Sequence, residues 1–149
     1  MYSALAIAKH IIDFCNSNSC GTGISNLKLQ KLLYFVQAEF LVSLGTPCFA
    51  NKIEAWDFGP VVPNVYHLYK AYGSTNIPKS EPIDCGQIDD YHQKVIDNVI
   101  RALADYSAVD LMTIIHKQDP WRNAYRYGQH REISNAALQR YFAIEPQNS

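Results

Sequence analysis

Residues 26–44 read NLKLQKLLYFVQAEFLVSL, and their spacing decides the fold. Leu29, Leu32, Leu33, Val36, Phe40 and Leu44 recur at three- and four-residue intervals, which marks one apolar helix face. Lys28, Lys31 and Gln37 fall off that stripe. Ser25 or Asn26 can cap the start, and Gly45 suits the left-handed position just past the end. Upstream, Ala4, Ile7, Ala8, Ile11, Ile12 and Cys15 give a first helix over 3–18, with Ser3 as its cap. Gly21 and Gly23 break the pattern between the two helices.

Downstream, a loose alternation from Ile53 to Asp57 predicts a short strand over 52–57, ended by Gly59-Pro60 as a turn. Pro63 suits the first turn of a third helix, which carries Val65, Tyr66, Leu68, Tyr69 and Tyr72 and stops at Gly73. Residues 74–86 read as the longest loop, and a fourth helix follows over about 87–105. Ser107 with Asp110 resembles a capping box that opens a fifth helix through His116. Trp121 opens a short turn or helix, Glu132-Ile133 can form a second strand, and Ser134 caps a last helix over 135–142. The expected class is mainly α, about six helices with a small antiparallel β patch, in one compact domain over 1–149.

The chain carries 13 Lys plus Arg against 14 Asp plus Glu, a net charge of −1, and 12% aromatic residues. Near-neutrality argues against a dedicated nucleic-acid binder, which needs a basic excess. Cys15, Cys20, Cys48 and Cys85 form no C-x-x-C pair, so His10, Cys15 and Cys20 are the nearest approach to a metal set. Buried thiols are the simpler reading. With no signal-peptide pattern and no apolar run of about 20 residues, a reduced cytoplasmic protein without membrane contact is expected.

No catalytic constellation stands out. There is no G-x-S-x-G elbow, and Gly21-Thr22-Gly23 lacks the lysine of a phosphate loop. His116 and Asp119 could meet at a helix end, but His116 is expected to satisfy the last carbonyls of the fifth helix. The chain therefore reads as no enzyme, with no cofactor and no metal. Residues 121–131 carry three arginines among aromatic rings, net +3, a pattern that suits stacking on single-stranded bases. Segment 84–110 carries six acids and two bases, net −4, and such polarity favours a protein partner or self-association.

Three blocks then carry a family resemblance. Leu29-Gln30-Lys31-Leu32-Leu33-Tyr34-Phe35 is the first, and Glu54 to Pro63 with Val65-Tyr66 the second. His116-Lys117-Gln118-Asp119-Pro120-Trp121 is the third. Together they resemble the SocA-type antitoxin domain, also called Panacea and often phage-associated, over roughly Ser3 to Phe142. The third block departs in having Ile115-His116 where Thr-His is more usual.

The resemblance implies a mostly helical protein that neutralises a toxin encoded beside it by direct binding. The toxins of such proteins differ widely in type. Some members add a DNA-binding domain, and none is expected within these 149 residues. Alternatives are a nucleic-acid-binding accessory protein and an adaptor that delivers a bound toxin to a protease; a homo-oligomer is also compatible. The family-motif and candidate partner-binding residues are Lys31, Tyr34, Trp56, Phe58, Gly59, Pro60, Val61, Tyr66, Tyr69, His116, Pro120 and Trp121. Trp56, Phe58, Tyr66, Tyr69 and Trp121 could be core plugs or partner anchors, with core favoured because large aromatics are mostly buried. Lys31 is expected to pair with Glu54 or Asp57.

Overall fold

The computed structural model describes residues 1–17, 23–79 and 87–144. The turn at Gly21-Thr22, Cys20, Cys85 and the second half of the 74–86 loop lie outside them. Seven helices are described: α1 (Ala4–Ser17), α2 (Asn26–Ser43), α3 (Pro63–Tyr69), α4 (Asp90–Leu103), α5 (Ala108–His116), α6 (Asp119–Ala124) and α7 (Asn135–Ile144). The strands are β1 (Ile53–Trp56), β2 (Gly59–Val61) and β3 (Arg131–Ile133), and a single 3-10 turn (Lys70–Tyr72) extends α3. The expected class, mainly α with a small antiparallel patch, is what the chain adopts.

The caps act as their residue types dictate. Ser25 accepts from the Lys28 N–H to open α2. Ser107 and Asp110 exchange both bonds of a capping box at 3.0 Å each. Gly45, at φ 75°, takes the left-handed turn after α2.

Helix α2 is the axis of the molecule rather than a surface helix. It packs against α1, α3, α4, α5, α7 and β2. Leu29, Leu32, Leu33, Leu41 and Phe40 of α2 join the core with Ile7, Ile11, Ile96, Leu111 and Ile115. Because neighbours surround it, its polar residues are buried too: Asn26, Gln30, Lys31 and Gln37 are each at most 2% exposed. Lys31 and Gln37, which lie off the apolar stripe, are buried all the same. Periodicity locates the apolar stripe, but it cannot register that other elements cover the opposite side.

These buried polar groups work as connectors. Gln37 accepts from the Cys48 and Phe49 N–H groups at 2.8 and 3.1 Å and donates to the Phe49 carbonyl at 3.0 Å and to Asn135 at 3.3 Å. Gln30 accepts from the Val62 N–H at 2.9 Å and donates to Asn26, which in turn donates to the Tyr66 carbonyl. Backbone segments without a sheet partner are thus satisfied by amides from one helix.

The sheet runs in the order β2-β1-β3, all antiparallel. Trp56 pairs with Gly59, so the hairpin turn is Asp57-Phe58, and Gly59-Pro60 belongs to a strand instead of ending one. Proline fits there because β2 is an edge strand, where its missing N–H removes no ladder bond. Gly59 sits at φ 118°, a region L side chains rarely adopt. Gly59→Ala is expected to cost about 1–2 kcal/mol from backbone strain, read by urea unfolding. A change below about 0.5 kcal/mol would mean the hairpin relaxes freely.

Candidate functional site

The three sequence blocks lie far apart in the chain and meet around the hairpin. Lys31 and Tyr34 come from α2, Trp56 to Val61 from β1 and β2, Tyr66 from α3, and His116 to Trp121 from α5 and α6. Tyr34 donates to the side-chain oxygen of buried Gln118 at 2.8 Å, joining the first block to the third. The Trp121 indole N–H donates to the Trp56 carbonyl at 2.9 Å, joining the third to the second.

Two ring assemblies frame this junction. Trp121 is stacked between His116 at 4.0 Å and Tyr125 at 4.5 Å. Trp56 is stacked on His130 at 4.3 Å, with Tyr66 edge-on at 5.0 Å. Such contacts fix ring orientation beyond simple burial. Between the hairpin and α2 lies a recess of about 190 Å³, lined by Lys31, Trp56, Phe58, Pro60, Val61 and Tyr66 among others. A second recess of about 210 Å³ lies between α2, α4 and α7, lined by Phe35, Val42, Val99 and Phe142 among others, and Phe35 is its one residue from the three blocks.

Lys31 is the unusual member. It is 2% exposed, and its ammonium donates to the Leu27 carbonyl at 3.2 Å. Among the described residues it has no carboxylate partner, which corrects the expected ion pair with Glu54 or Asp57. Both acids are engaged elsewhere: Glu54 accepts from the Trp56 indole N–H, and Asp57 from the Tyr125 hydroxyl. Burial without a counter-charge lowers the Lys31 pKa to about 8.

His116 does not cap α5. Lys117 N–H closes that end on Ile114 and Ile115, while the His116 ring turns to Trp121 and leaves a buried Nε2 without a hydrogen-bond partner among the described residues. Burial lowers its pKa; a hydrogen bond with the Asp57 backbone opposes the shift and the Lys31 charge adds to it. His116 and Asp119 do not form a catalytic pair, since exposed Asp119 faces Arg122 at 3.8 Å.

The remaining candidates divide by burial. Tyr34, Gly59, Pro60, Val61, Tyr69, Pro120 and Trp121 are buried; Trp56, Tyr66 and His116 are half-buried. Phe58 is 65% exposed at the hairpin tip. Tyr69 is the outlier in position, packing near Tyr72 rather than lining the recess. In the 121–131 segment, Trp121, Tyr125 and His130 are occupied by internal stacking, and Tyr127 is the ring left largely exposed. Sequence reading placed Gln30 and Gln118 in the blocks and His130 in the 121–131 segment without singling them out, yet all three hold the site's shape. His10, considered for a metal set, instead meets Asp97 at 2.6 Å.

The sequence matches the family described as "Antitoxin SocA-like, Panacea domain" over residues 29–122. That span runs from α2 into α6 and contains all three blocks. The chain belongs to this family. A curated relative, Antitoxin SocA of Caulobacter vibrioides (strain NA1000 / CB15N), is 34% identical over 134 residues, covering 79% of this chain and 68% of that one. No solved structure matches. The convergence of the blocks on the hairpin, α2 and α6 therefore describes how a Panacea chain assembles its motifs. Among the described residues, no helix is long and apolar enough to cross a membrane.

Proposed function

We propose that this protein is a non-catalytic antitoxin that neutralises a toxin encoded beside it by direct contact. The observation that carries the reading is the similarity to Antitoxin SocA over most of both chains. The surface we assign to the contact is the hairpin end. Phe58 stands there 65% exposed, flanked by half-buried Trp56 and Tyr66, and aromatic side chains of this kind commonly anchor interfaces.

Co-expression with the product of the adjacent gene tests the reading. That product alone should halt growth, and this chain should restore it. A neighbour that is harmless alone and does not co-purify removes the proposal. Delivery to a protease is the second outcome to separate. Toxin half-life in cells with and without this chain distinguishes it, because sequestration leaves the toxin intact.

Phe58→Ala gives the sharper check on the surface. Its stability should stay within about 0.5 kcal/mol of wild type, since the side chain is already in water. Toxin affinity should fall at least about tenfold, as for an interface anchor. Unchanged affinity would place the contact elsewhere.

A further inference from the structure

The recess beside Lys31 combines this charged residue with apolar walls. Trp56, Pro60, Val61 and Tyr66 supply the walls, and exposed Phe58, Asp57 and His130 stand at the rim. The Lys31 ammonium has three donors, and one of them reaches the Leu27 carbonyl. Asp57 also lines the recess, but the Tyr125 hydroxyl takes its Oδ1, and no Asp57–Lys31 ion pair forms. In the same motif cluster, His116 Nε2 is buried and has no hydrogen-bond partner among the described residues.

We propose that this recess is a carboxylate-binding site, with Lys31 as the cation and Trp56 and Tyr66 holding an apolar or aromatic stem. A buried ammonium gains most from an anion that replaces its lost water with charge-assisted hydrogen bonds. One cation suits a singly charged, planar carboxylate better than a phosphate, which calls for several donors. The lowered pKa of Lys31 agrees with a charge that lacks its partner in the unbound protein. The carboxylate can come from a free organic acid or from an acidic residue of a bound protein. The inference stands apart from the antitoxin reading, because it is tested on the purified chain alone.

The test uses nitrogen-edited NMR of the two indole N–H groups, Trp56 and Trp121, while benzoate or neutral benzamide is added. Benzoate is expected to shift the Trp56 signal saturably and to bind at least about tenfold more tightly than benzamide. Lys31→Met should abolish the preference while the Trp121 signal stays native. Lys31→Gln, which keeps a donor without the charge, should do the same. Equal affinity for the two probes, no saturable shift with either, or a preference that survives both variants overturns the proposal. Acetyl-Phe-Glu-amide against acetyl-Phe-Gln-amide then identifies the source. Tighter binding of the Glu peptide than of benzoate points to a protein side chain, and the reverse to a free acid; both outcomes support the site.

Discussion

Gln37→Met is expected to destabilise the protein by about 3–5 kcal/mol, the largest effect of any single replacement of a buried polar residue here. Methionine matches the length and fills the space, so packing is nearly conserved. What it removes is a set of four hydrogen bonds. The Cys48 and Phe49 N–H groups and the Phe49 carbonyl would be left buried, each orphan costing about 1–3 kcal/mol before relaxation. Urea unfolding with an unchanged m-value checks it. A loss below about 1 kcal/mol would mean that water reaches the 48–49 segment and replaces the amide.

Lys31→Met is expected to act in the opposite direction, stabilising the protein by about 2–3 kcal/mol near pH 7. The folded pKa of about 8 lies below the ordinary lysine value of 10.5. Each pKa unit is worth about 1.4 kcal/mol, and the lost bond to Leu27 offsets part of the gain. The sign follows from proton counting. Between about pH 8 and 10.5 the unfolded chain keeps the lysine proton that the folded chain releases, so wild-type stability rises with pH across that window. Below it the full burial penalty is present. The advantage of Lys31→Met should therefore be greatest below pH 8 and shrink towards pH 10. Burial raises the pKa of Cys48 to about 12 and raises that of Tyr34, so both lower stability at alkaline pH. They do so in both proteins and cancel in the difference. A variant less stable than wild type at pH 7 would show that Lys31 is held by a counter-charge.

A stabilising loss of charge at a motif position has a functional meaning. A buried lysine without a carboxylate costs folding energy, and such strain is commonly kept where a ligand or partner uses the group. The two replacements therefore separate two kinds of polar residue on one helix. Gln37 serves the fold, whereas Lys31 burdens it.

The helices were largely legible because each carries its own periodicity and caps. The α2 stripe, the Ser107–Asp110 box and Gly45 all act as their residue types suggest. Strand β2 was not, because Gly59-Pro60 reads locally as a turn, and only pairing with β1 makes it a strand. The burial of Lys31 and Gln37 was hidden for a related reason: polarity marks a solvent face only when nothing else covers that side. One signal was available. Asn26, Gln30, Tyr34 and Gln37 lie four, four and three residues apart, a polar row at helical spacing that marks a connector face. The convergence of the three blocks depended on tertiary contacts such as Tyr34–Gln118 and Trp121–Trp56, which no local pattern encodes. The free Phe58 is equally a product of the hairpin, since its place in the two-residue turn lifts it out of the alternation.

Direct contact between this chain and the product of the adjacent gene is the central claim. Isothermal titration of the two purified proteins measures it, with wild type and Phe58→Ala run side by side. Saturable binding by the wild type, weakened at least about tenfold in the variant, is the expected result. Rescue of growth in cells without any measurable binding between the purified proteins would contradict it.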